Sequence, residues 1–272
     1  MTSNTKLKEK FLEHSIGLNE YITGNRFIDI CEETGAVFCK TDYLASFNNH
    51  SPKVFVTHNS DYHICDKRFS LGPNCNYWFA QNKETQQDKI ISIPIGLENM
   101  KLRTFGQARD GMFSSQVPGS LEKAMLIDRI NSFKLSKTGL VYMNFNVSTH
   151  HSRQGVWRTF EDKNWVKKTS NLQLQKFYFD LAAHKFVISP RGNGVDCHRT
   201  WEALYLRTIP IVKRSTHMDE FSDLPIFFVN DWSEVCYNDL NNFYDRVENE
   251  LFNLDKMKLS YWRRIISERI SE

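Results

Sequence analysis

A chain of 272 residues, 40% hydrophobic and 25% charged, has the composition of an ordinary globular protein and room for two modest domains sharing a cleft. A formal net charge of +3, with basic and acidic residues intermixed, argues against a nucleic-acid binder. No apolar run approaches membrane-spanning length, which argues against a membrane span.

Residues 4–22 read as an amphipathic helix, with Leu7, Phe11, Ile16 and Leu18 interleaved with charge. The stretch preceding Ser15 lacks the apolar centre of a signal peptide, and none of the six cysteines has C-x-x-C spacing. A cytoplasmic protein with reduced thiols is therefore expected. "KVFVTH" (53–58), "NYWFAQN" (76–82) and "IISIPIG" (90–96) read as strands that end in polar residues or glycine. The charged stretch 101–119 reads as loop, and "SLEKAMLIDRINSF" (120–133) as a helix with Ser120 as its N-cap. From there strands and helices alternate. Strands are expected at 139–147, 185–190, 209–212 and 225–229, and helices after 150, over 172–184, over 196–206 and through 232–271. That alternation predicts an α/β fold with a parallel sheet covered on both faces. The expected domains are 1–135 and 136–255, with a terminal helix, 256–272, packing back onto the first.

The stretch "SPRGNGVDCHRTWEALYLRTIPIV" carries the chemistry. Gly192 and Gly194 follow a strand and precede a helix, so the backbone there can approach a ligand closely. The free N–H groups of the helix start suit a phosphate, and Arg191 or Arg199 would add charge-assisted hydrogen bonds. On a helical wheel Cys197, Trp201, Leu204 and Tyr205 form the apolar face; Arg199 and Glu202 lie opposite, facing the crevice. A carboxylate one turn deeper can accept both hydroxyls of a ribose. The bland reading is a tight turn followed by a surface ion pair.

Pro190-Arg191-Gly192, Arg199, Glu202-Ala203 and Ile209-Pro210-Ile211 together resemble the nucleotide-sugar signature of exostosin-like glycosyltransferases, of the microbial and large-virus type. "THNSDYH", "WFAQN" and "IPIGLEN" resemble N-terminal segments of the same proteins. The chain departs from the pattern at Arg207-Thr208, where glycine is common. The resemblance implies the GT-B architecture, two Rossmann-like domains facing a cleft, with residues 1–135 on the acceptor side and 136–255 binding the nucleotide sugar. It implies an inverting hexosyl- or pentosyltransferase that takes a UDP-sugar as donor and a glycan hydroxyl as acceptor. No D-x-D pair is present and no metal or other cofactor is implied. Donor contacts are expected from Arg153, Arg158, Arg191, Gly192, Asn193, Gly194, Arg199 and Glu202.

Inversion also needs a base for the acceptor hydroxyl, placed across the cleft. Asp61 is the first choice, followed by His63 and Glu98; all three follow strands of the N-terminal half. Tyr77, Trp78 and Phe79 offer rings for stacking an acceptor, or simply core. A nucleotide- or carbohydrate-binding module of the same fold, without catalysis, is the alternative.

Overall fold

The computed structural model describes residues 16–47, 52–67, 69, 72–98, 119–247 and 250–272. The helix expected over 4–22 lies mostly outside them; its described end is a 3-10 turn, Leu18–Glu20. The loop expected over 101–119 also lies outside, up to residue 118.

The first half runs α1 (Gly24–Thr34), β1 (Val37–Lys40), β2 (Val54–His58), β3 (Tyr77–Ala80) and β4 (Ile90–Ser92). Its strands form a parallel sheet in the order β1-β2-β3-β4. Alternation buries both faces of this sheet. Val54, Val56 and Phe79 join the main core, whereas Phe55, Trp78, Ala80 and Ile90 form a smaller cluster on the other side. The fourth strand is shorter than expected because Pro94 lacks a donor and Gly96 takes a left-handed turn (φ 65°).

Helix α2 (Gly119–Ser132) leads into β5 (Gly139–Met143), α3 (Ser152–Phe160), β6 (Val166–Lys168), α4 (Leu174–Ala182), β7 (His184–Ile188), α5 (His198–Tyr205), β8 (Ile209–Lys213), α6 (Thr216–Asp219) and β9 (Phe227–Val229). These strands form a second parallel sheet, ordered β6-β5-β7-β8-β9. The strand order reverses between β5 and β7, which is where an open α/β sheet leaves a crevice at its carboxyl edge. Two parallel sheets covered by helices make the chain an α/β protein of GT-B-like organisation. The C-terminal region forms α7 (Tyr237–Val247) and α8 (Leu259–Ser271). Helix α8 runs back over the first half: Lys53 Nζ donates to Ile270 O at 2.8 Å, and Tyr77 Oη donates to Glu272 at 2.8 Å. Trp78 and Phe79 are core, and Trp78 Nε1 donates to Thr57 Oγ1, so these two rings do not face an acceptor. Among the described residues no helix is long and apolar enough to cross a membrane.

The departure at Arg207 carries a backbone cost. Arg207 follows α5 with φ 58°, a left-handed conformation that glycine adopts freely and arginine at a cost of about 1 kcal/mol.

His58 ends β2 fully buried, with Nε2 donating to Pro94 O at 3.0 Å and Nδ1 accepting from Asn59 N–H at 2.7 Å. Burial pushes its pKa from the ordinary 6.5 down to about 4. The unfolded chain therefore takes up this proton first on acidification. The stability involved is complete above pH 6.5 and is lost as pH falls from there towards 4, by roughly 3 kcal/mol. Denaturant midpoints measured across that range are expected to fall in the wild type and to flatten in His58→Gln. An equal slope in the variant would remove His58 as the cause.

Candidate active site

The crevice between β5 and β7 is built around Phe145. Arg153, near the start of α3, and Arg199, in the first turn of α5, both lie against this ring, with guanidinium carbons 5.6 and 5.7 Å from its centroid. Arg153 is buried and donates to three carbonyls: Arg191 O at 2.7 Å, Asn146 O at 3.0 Å and Pro190 O at 3.4 Å. Arg199 Nε donates to Asn144 O at 3.0 Å, while its Nη1 is buried with no hydrogen-bond partner among the described residues. Neither arginine pairs with a carboxylate among the described residues. Burial, and then the neighbouring Arg199 charge, push the Arg153 pKa down to about 10. His150 is also held below its ordinary value, by burial and by the charges of Arg191, His151, Arg153 and His63. The crevice is thus a pocket of like positive charge, two of whose cations are anchored by carbonyls rather than neutralised. Fixed cations of this kind suit an anion.

The glycine turn closes the crevice against the first sheet. Arg191 Nη2 donates to His63 Nε2 at 3.0 Å, and Asn193 Nδ2 donates to Asp61 Oδ2 at 3.3 Å. Gly194 packs on Asn82: a β-carbon there would lie 2.7 Å from Asn82 Nδ2. A side chain at 194 would therefore press on the contact between the two halves. Gly192 has room, since its nearest neighbour would be Arg153 Nη2 at 3.6 Å. The carboxyl ends of β2, β3 and β7 thus converge on one site.

Glu202 departs from the wheel. It does not sit on an open helix face but is buried, because α5 is covered nearly all round. Its Oε1 accepts from Lys123 Nζ at 2.8 Å and from Tyr178 Oη at 2.9 Å. Oε2 receives no hydrogen bond from the described residues. Burial raises the Glu202 pKa, and Lys123, with His198 and Tyr178, more than reverses that, leaving it below the ordinary value. Lys123 also pairs with Glu98 at 2.8 Å.

Of the expected donor residues, Arg153, Gly192 and Arg199 come together at the crevice, with Glu202 one turn deeper. Arg191 and Asn193 turn towards the first sheet. Arg158 is exposed, about 140° further round α3 than Arg153, and is not brought to the pair. Among the three carboxylate and imidazole candidates, Glu98 is tied to Lys123. His63 has Arg191 on Nε2, while its Nδ1 lies 2.9 Å from Glu84 Oε2, off the line of a hydrogen bond. Asp61 is exposed and, among the described residues, is held by the Asn193 amide. Sequence reasoning missed Asn144, Phe145 and Lys123. The first two follow β5 in "MNFN", a strand-end position that signals a site in a parallel sheet.

No family model matches the chain, and no curated protein matches it. Among solved structures it is similar to an α1,3-fucosyltransferase, with 12% identity and a TM-score of 0.40 over 75% of this chain and 70% of that one. It is also similar to an α1,3-fucosyltransferase with GDP-fucose, with 11% identity and a TM-score of 0.34 over 83% and 70%. A likeness this distant assigns no chemistry. Among the described residues no three His, Cys, Asp or Glu side chains are grouped to hold a metal ion.

Proposed function

We propose that this chain is an inverting, metal-independent glycosyltransferase that moves a sugar from a UDP-sugar to a glycan hydroxyl. The observation that carries the reading is the Arg153–Arg199 pair. Two carbonyl-anchored cations without a carboxylate partner among the described residues sit at the strand-order reversal, and one buried donor, Arg199 Nη1, is used by none of those residues. A diphosphate satisfies both the charge and the donor. Glu202 Oε2, one helical turn deeper, accepts the ribose hydroxyls. Opposite, Asp61 takes the proton of the attacking hydroxyl, since its carboxylate is the least committed of the three candidates. As the sugar–phosphate bond breaks, charge builds on the leaving diphosphate and is met by arginines already fixed in place.

Calorimetry with UDP and a hydrolysis and transfer screen over a panel of sugar nucleotides test this, each with and without EDTA. UDP binding and turnover that survive chelation are the expected result. Asp61→Asn is expected to keep UDP binding and to lose at least roughly 100-fold in transfer. Binding of UDP without turnover of any donor would favour a non-catalytic nucleotide-binding module. Activity that disappears with EDTA and returns with manganese would overturn the arginine-based assignment.

A further inference from the structure

We propose that Lys123 is a positioning residue, which fixes the Glu202 carboxylate at the donor site and ties it to Glu98 on the first-sheet side. This rests on the reading of Glu202 as the donor's ribose ligand. Three separate parts of the chain meet here: Glu98 from the segment after β4, Lys123 from α2, and Glu202 from α5. The ammonium lies 2.8 Å from a carboxylate oxygen of each. All three side chains are largely buried, with relative exposures of 16% for Glu98, 12% for Lys123 and 7% for Glu202.

The geometry divides the two oxygens of Glu202. Lys123 and Tyr178 both donate to Oε1, so the carboxylate cannot rotate without breaking two hydrogen bonds. Oε2 is thereby held in one direction and accepts from none of the described residues. The charged groups facing Glu202 are Lys123 from α2 and His198 from the first turn of α5; Tyr178 comes from α4, and Glu98 lies beyond Lys123. Burial acts to neutralise Glu202, and Lys123 is the largest influence opposing it. Reciprocally, burial lowers the Lys123 pKa, and Glu202 and Glu98 more than reverse that. Removing the ammonium leaves a desolvated carboxyl with a second carboxylate nearby, and both effects favour the protonated acid. A protonated Glu202 is a poor acceptor for ribose hydroxyls.

The test is UDP affinity of the whole chain from pH 6.5 to pH 9, by calorimetry, for wild type, Lys123→Met, Lys123→Arg and Tyr178→Phe. Lys123→Met is expected to bind UDP about 10-fold more weakly than wild type at pH 6.5, with the gap closing towards pH 9 as Glu202 ionises. Lys123→Arg restores binding at every pH. Tyr178→Phe moves in the same direction by a smaller factor, and carries the test where thermal melts show that Lys123→Met does not fold. The same change is read without nucleotide from the carboxyl 13C resonance of Glu202, which should titrate at higher pH in Lys123→Met. A gap that is constant with pH, or an unmoved Glu202 resonance, would overturn the positioning role. A wild-type chain that binds no UDP while its Glu202 resonance moves as expected would overturn the glycosyl-transfer reading and leave the Lys123–Glu202 coupling standing.

Discussion

Arg199→Ala is expected to lower the kcat of sugar transfer by at least roughly 100-fold while weakening UDP binding by less than about 10-fold. The asymmetry follows from where the charge appears. In the bound donor the diphosphate oxygens share their charge with the sugar linkage; as that bond breaks, the terminal phosphate gains most of a further charge. Arg199 Nη1 is buried and has no partner among the described residues, so its hydrogen bond can go to that developing charge. Nε is held by Asn144 O at 3.0 Å and the ring of Phe145 supports the guanidinium, so little reorganisation accompanies the reaction. Arg199→Lys is expected to recover only part of the rate, because an ammonium cannot hold Asn144 O and the diphosphate in the same fixed plane. Arg153→Ala makes a useful contrast. That side chain satisfies three carbonyls of the crevice wall, so its removal should lower stability as well as rate. Steady-state kinetics beside calorimetry separate the two quantities. Equal losses in kcat and in UDP affinity for Arg199→Ala would make it a ground-state ligand only.

Most of the second sheet was legible because its strands are short, apolar and separated by helices of clear period. "KFVISP" and "IPIV" could be little else. The first half was harder. Helix α1 carries Phe27, Ile30 and Cys31 at i, i+3 and i+4, yet begins at Gly24-Asn25, which reads as a turn and hides its start. Strand β6, "VKK", is an edge strand with a single buried residue and has no strand signature. In the site, the arginines and the glycine turn were visible because they sit at junctions between strands and helices. The lysine–glutamate network was not, since a helical wheel assigns charges to the outer face by default. Its trace is nonetheless present. Lys123 shares spacing with Ile127 and Ile130, and Tyr178 with Leu181 and Ala182, so both polar groups lie within apolar stripes. A charge in such a stripe requires a partner from another element, and the sequence does not say which element that is.

Asp196→Ala is expected to destabilise the chain by about 3–5 kcal/mol, the largest loss of any single substitution considered. Asp196 precedes α5 rather than opening it, and its carboxylate is fully buried. One oxygen accepts the Cys197 N–H at 2.8 Å, and the other accepts Ile95 N–H at 2.8 Å and Trp201 Nε1 at 2.8 Å. His217 lies beside this carboxylate without bonding to it: its Nδ1 accepts Lys83 N–H at 3.2 Å, which places its proton on Nε2, 3.5 Å from Asp196 Oδ2 and off the line of a hydrogen bond. The donors come from both halves of the chain. Ile95 belongs to the segment following β4, whereas Cys197 and Trp201 belong to the second half. Alanine strands buried N–H groups on both sides of the cleft at once, with no solvent to replace the lost acceptor. Asp196→Asn is a milder probe, expected to cost about 1–3 kcal/mol, because the amide nitrogen must face an N–H donor where an oxygen stood. Equilibrium unfolding in guanidinium gives both values, and a change below about 1 kcal/mol for the alanine variant would contradict a shared acceptor at the junction. The consequence reaches the crevice, because the backbone N–H of Asp196 also donates to Asn82 Oδ1, the side chain on which Gly194 packs. Loosening that contact frees the turn carrying Arg191 and Asn193, so donor affinity should fall in Asp196→Asn even while the arginine pair remains intact.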